Sequence, residues 1–171
     1  MVQAGSLFGS NDDMERVSTA DWLEEECEKP MEMYRLQLVE APFFQQDGKI
    51  LPIARKISRH QNTSNVYTVL CLSASLFRDV LQENDSEHEI LVATGSGQKI
   101  ASIGELEEDA AENDALITEI LNKGIDKGID TMKVHGRKCL VSYEIYAPSG
   151  ILVCEIMPLD ELLNDRLILI E

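Results

Sequence analysis

The chain has 171 residues, with fifteen Lys and Arg against thirty-one Asp and Glu, a formal net charge of −16 and 44% hydrophobic residues. That apolar fraction suffices for a packed domain. The acidity argues against coating DNA, where affinity grows with the cations that displace counterions, and against docking on an anionic membrane.

In chain order, residues 1–18 are polar and small and read as a disordered tail, leaving 19–171 as one domain. Met1–Asp13 shows no basic region followed by an apolar one, and no run of about 18 apolar residues spans a bilayer, so the expected location is nuclear or cytoplasmic rather than secreted. Thr19 can cap a short helix from Ala20 to Glu28 that Pro30 stops. Glu32–Val39 alternates as a strand, and Asp47-Gly48 signals a tight turn. Lys49–Ser58 reads as a strand whose Pro52 demotes it to an edge or a bend. Asn62-Thr63-Ser64 matches a glycosylation sequon, which in a non-secreted chain is read as a turn.

Val66–Leu72 has the composition of a buried strand, and Ser73 or Ser75 can cap a short helix carrying Leu76, Phe77, Val80 and Leu81. Glu89–Thr94 and Lys99–Ile103 form a hairpin across Gly95-Ser96-Gly97. Glu105–Asn122 is an acidic helix, with Leu106, Ala110, Ile117 and Leu121 at helical spacing and acids crowding its first turns. The tandem Lys123–Asp130 is read as a loop. Strands follow over Met132–Val134 with Cys139–Tyr146, then Ile151–Met157, a short turn at Glu161–Asn164, and the aliphatic end Leu167–Ile170. The fold class is therefore α+β with a mainly antiparallel sheet.

The charge is uneven. Residues 1–30 carry net −6 and 105–122 net −7, whereas 31–60 carry +2, 61–82 balance, and 123–138 carry +3. Cys27, Cys71, Cys139 and Cys154 lack CxxC spacing and read as buried thiols in a reducing compartment. His60, His88 and His135 have no HExxH-like spacing, no GxSxG elbow is present, and Gly95-Ser96-Gly97 lacks a phosphate-loop ending. No enzyme activity, metal or cofactor is expected on these grounds.

From Lys49 to Leu159 the order strand, strand, hairpin, acidic helix, strand, strand resembles an OB-fold, a five-stranded barrel with a helix between the third and fourth strands. Val134–Met157, a glycine entry, a long apolar strand, a turn and a closing strand, carries most of that likeness. The chain is similar to the small acidic OB-fold accessory subunits of single-stranded-DNA and telomere-capping complexes. The resemblance implies a non-enzymatic adaptor that holds one or more protein subunits, at least one of them basic. It touches nucleic acid indirectly if at all, and no membrane.

The candidate partner surfaces are the terminal Leu167, Ile168, Leu169 and Ile170, offered as a sheet edge, and the acids Glu107, Glu108, Asp109 and Glu112. Two alternatives stay open. One is direct single-strand binding through Arg55, Lys56, Arg59, Lys133, Arg137 and Lys138, with Tyr67, Tyr143 and Tyr146 as stacking platforms. The other is an acidic chaperone or DNA mimic that occupies a basic protein.

Overall fold

The computed structural model describes residues 21–28, 36–40, 49–57, 66–83, 88–104, 109–147 and 149–162. The described elements in chain order are α1 (Asp21–Glu28), β1 (Val39–Glu40), β2 (Lys49–Ile57), β3 (Val66–Ser73), α2 (Ala74–Glu83), β4 (Glu89–Ala93), β5 (Lys99–Ile103), α3 (Ala110–Asn122), β6 (Lys127–Val134), β7 (Arg137–Tyr146) and β8 (Ile151–Pro158). They build two antiparallel sheets, one of three strands in the order β1-β2-β3 and one of five in the order β5-β4-β8-β7-β6. The α+β class and the antiparallel pairing stand.

The OB-like barrel does not. Both described sheets are open, and β8 is central to the larger one, between β4 and β7. The acidic helix enters after the second strand of that sheet rather than the third. A succession of strands with one acidic helix is common to both folds; the split into two sheets, the place of the helix and the pairing of the last strand distinguish them.

Burial along both faces of β8 suits its central place. Leu152, Cys154 and Ile156 are fully buried on one face, while Ile151 and Val153 pack on the other. The first face meets α3, whose Leu116, Ile117 and Ile120 close a core with Leu91, Ala93, Met132, Val134, Cys139, Val141 and Tyr143. The opposite face carries a second core. There Val92 and Ile100 meet Leu36, Leu38 and Leu51 from the lead-in to β1 and from β2, with Phe77 and Leu81 of α2 packed alongside. The five-stranded sheet is thus covered on both sides, as an interior sheet requires.

Two hydrogen bonds tie the smaller sheet's lead-in to the hairpin at Gln98: its Nε2 donates to Leu38 O (3.3 Å) and its Oε1 accepts from Leu38 N (3.0 Å). One plan recurs. α1 precedes the meander β1-β2-β3 and packs on β2, as α3 precedes the meander β6-β7-β8 and packs on its sheet.

Several local expectations shift. Pro52 sits within the central strand of its sheet, yet β1 pairs only with Lys49 and Ile50, so no described strand lies opposite Pro52 on that side. Of the expected segment Glu32–Val39, the described part is 36–39; there Val39 pairs with Ile50, while Leu36 and Leu38 are buried outside the strand, and 32–35 lie outside the described residues. β3 is less buried than its composition suggests, with Thr68 exposed and Leu70 53% exposed. The α3 stripe is Asn113, Leu116, Ile117 and Ile120, and Ala110 points to water.

The tandem over 123–130 is not all loop, because Lys127–Asp130 opens β6 against β7. As an edge strand it exposes Ile129 and buries little until Met132, so its sequence carries no strand-like apolar run. The tail at 1–18, Leu106 and the terminal aliphatics lie outside the described residues.

Candidate functional site

α3 is fastened to the sheet by polar groups at both ends, and these carry the described chemistry. At its C-terminal end, the Lys123 and Gly124 N–H groups donate to the Ile120 and Leu121 carbonyls at 3.1 and 3.2 Å. The Lys123 side chain then reaches across to β6, where Nζ lies 2.7 Å from Asp130 Oδ2. Tyr143 of β7, 3% exposed, donates its hydroxyl to the same oxygen at 3.2 Å. The ammonium stands 5.9 Å from the Tyr143 ring centroid, a cation–π distance.

The bond to Asp130 holds the Lys123 ammonium above its ordinary range, and the same bond holds the Asp130 carboxyl below its own. Desolvation first, then the bond to Asp130, raises the Tyr143 phenol. Gly128 is required here, because a Cβ on it would stand 2.5 Å from Tyr143 Oη and 2.7 Å from Cζ. The corner presents an ammonium and a carboxylate, each partly open to solvent, as complementary polar handles.

At the N-terminal end, Asp109 caps α3, its Oδ1 accepting from Glu112 N at 3.0 Å. Glu112 in turn accepts the backbone N–H of His135 at 2.9 Å. His135-Gly136 is the two-residue turn joining β6 to β7, both residues at positive φ (49° and 74°), with Val134 and Arg137 as the closing pair. That turn lays the imidazole between carboxylates: Nδ1 is 3.8 Å from Asp109 Oδ2 and Nε2 is 3.9 Å from Glu89 Oε2. Arg137 reaches Glu89 at 3.9 Å and Glu161 at 3.8 Å. Arg137 ties the start of β4, the β6–β7 turn and the segment after β8 together by charge, and the His135 N–H bond to Glu112 joins α3 to them. Among the described residues, no group of three or more His, Cys, Asp or Glu is spaced to hold a metal ion.

Of the acids expected to face a partner, Asp109 caps α3 with its side chain still half-exposed, and Glu112 anchors the β6–β7 turn. Glu107, Glu108, Leu167, Ile168, Leu169 and Ile170 lie outside the described residues. The described basic residues are divided between the two sheets. Arg55 of β2 turns its Nη1 back onto the Ala54 carbonyl (2.9 Å). Lys133 and Lys138 are exposed register partners in the other sheet, and Arg137 belongs to the His135 cluster. Lys56 lies on β2, and Arg59 is outside the described residues. Tyr143 is core, while Tyr146 is 52% exposed.

The Lys123–Asp130–Tyr143 corner and the His135 cluster were not visible beforehand. Tyr143 and Asp130 are thirteen residues apart, and no spacing rule links a turn histidine to Glu89.

No family model matches the chain, and no curated protein matches it. Solved structures do. The periplasmic sensory domain of the Campylobacter jejuni chemoreceptor Tlp1 superposes with a TM-score of 0.61 at 12% identity, covering 84% of this chain and 56% of that one. The extracellular domain of rpHK1S-Z16, a protein assigned as a histidine kinase, gives 0.58 at 13% identity, covering 85% and 62%. That of vpHK1S-Z8, assigned likewise, gives 0.53 at 16%, covering 86% and 59%. At such identities the likeness is one of fold, and the chain spans less than two thirds of the length of each neighbour.

These neighbours overturn the resemblance to OB-fold subunits of DNA and telomere-capping complexes. The adaptor reading falls with it, and neither single-strand binding nor DNA mimicry gains support. The nuclear or cytoplasmic placement is corrected too, since the neighbours are extracellular or periplasmic domains. Acidity and dispersed thiols are compatible with either side of a membrane, so composition does not decide the compartment.

Proposed function

We propose that this chain is a non-enzymatic sensory domain of a signalling protein, working outside the cytoplasm and recognising a ligand. The observation that carries the reading is the superposition of more than four fifths of the chain on the sensory domain of a chemoreceptor and on extracellular domains of proteins assigned as histidine kinases. The site geometry is consistent with it. α3 is held at two polar ends around an apolar middle, so a ligand bound at either end competes with a fastening and changes how the helix sits.

Thermal shift of the purified chain against a panel of amino acids, organic acids, amines and purines tests this, followed by calorimetry on any hit. One chemical class giving a saturable rise in Tm, weakened by Asp130→Asn or by His135→Asn, is the expected result. A panel that produces no saturable shift, or hits indifferent to both substitutions, removes the reading or the site respectively.

A further inference from the structure

The described sheets end on four edge strands, β1 and β3 in the smaller sheet, β5 and β6 in the larger. Edge strands present unpaired N–H and C=O groups and are ordinarily kept apart by charges, proline or brevity. Three of the four follow that rule. β1 has two residues and carries Glu40, β5 carries Lys99, and β6 carries Lys127, Asp130 and Lys133. β3 is the exception. Val66–Ser73 reads VYTVLCLS, eight residues with no charge, no proline and no glycine.

One edge of β3 is taken by β2 over its full length, and no described strand lies on the other. Thr68 is exposed on it, Leu70 is 53% exposed, and Leu76 at the start of the following helix is 50% exposed. The recurring plan shows what such an edge takes. In the second meander the corresponding strand, β8, pairs along its outer edge with β4, antiparallel over five residues.

We propose that β3 is an association strand that pairs antiparallel with β3 of a second copy of this chain, joining two three-stranded sheets into one of six. Charge selects this occupant. A copy approaching through β6 brings Lys127 and Lys133 onto a strand carrying the same two lysines, which is repulsive. A copy approaching through β3 opposes uncharged residues only, within a stretch (61–82) whose single Arg and single Asp cancel. The acid that makes each copy −16 sits chiefly in 1–30 and 105–122. A two-fold axis makes the strand its own complement. The surface stands apart from the sensory reading and holds whatever the ligand is.

Light scattering after size exclusion and sedimentation equilibrium over a wide concentration range test it. The expected species is a reversible dimer of twice 19.1 kDa. It tightens as salt rises from about 0.05 to 0.5 M, because salt screens the repulsion between two acidic copies. Thr68→Lys with Leu70→Lys should weaken it at least ten-fold, and Ile129→Lys on the β6 edge should leave it unchanged. A chain that stays monomeric throughout, or a dimer that survives the β3 double substitution, overturns the proposal. If the double variant misfolds, hydrogen exchange of the wild-type chain decides. Amides of 66–73 that gain protection with concentration support the pairing, and amides indifferent to concentration refute it.

Discussion

Gly128→Ala probes the tightest contact at the Lys123–Asp130–Tyr143 corner. The added methyl would meet Tyr143 Oη at 2.5 Å, Cζ at 2.7 Å and Cε1 at 3.1 Å, against an optimum near 3.5 Å or more for such pairs. Relief requires the ring to retreat by roughly 1 Å, on the scale of that contact optimum. The ring is 3% exposed, within the α3 core, and its hydroxyl is bonded to Asp130 at 3.2 Å. Overpacking of this kind costs about 1–3 kcal/mol. Replacing strand glycine by alanine returns about 0.5–1 kcal/mol of backbone entropy.

The net expectation is a loss of about 1–2 kcal/mol, read as a fall in the urea midpoint at unchanged slope. Tyr143→Phe removes the nearest atom, so a double-mutant cycle should show the two substitutions partly compensating, by about 0.5–1 kcal/mol. A Gly128→Ala chain as stable as wild type, or a cycle with no coupling, would refute the claim that this glycine is dictated by the tyrosine.

Four further outcomes follow from the same geometry. Asp130 is held below its usual 3.8 by the bond to Lys123, so it contributes stability above about pH 4 that is lost as pH falls through its lowered value; acid unfolding of Asp130→Asn should lack that component. Burial pushes the Cys154 thiol from 9.0 up to about 12, so the unfolded chain ionises first and stability falls as pH rises between those values. Relative to Cys154→Val, wild type should lose about 1 kcal/mol by pH 10 in Tm-versus-pH scans, and parallel curves would refute the assignment. Two of the four thiols, Cys139 and Cys154, should react with a chromogenic disulfide only after denaturation, the other two being partly accessible. At the β6–β7 turn, where His135 has φ 49°, Asn should be tolerated and Val should cost about 1–2 kcal/mol, since a β-branched residue resists that conformation; equal stability of the two variants would count against the turn assignment.

What the sequence determined by itself is local. Long apolar runs on either side of a Pro-Ser-Gly turn placed β7 and β8, the Gly95–Gly97 turn placed the β4–β5 hairpin, and apolar residues at helical spacing placed α3. These signals lie within a few residues of what they control. Tertiary structure decided the rest. Whether β8 pairs with β4 or closes a barrel depends on backbone hydrogen bonds between residues some sixty positions apart, such as Leu91 with Cys154, and no side-chain pattern encodes that choice.

The polar corners share this origin. Asp130 meets Tyr143 because β6 and β7 pair antiparallel, and it meets Lys123 because α3 ends beside β6. His135 meets Glu89 and Asp109 because their elements finish or start at the same end of the sheet. Even the net charge needed the fold for its meaning. The count of −16 is legible in the sequence, but that Glu112 holds the turn at His135 is recognised only in the fold.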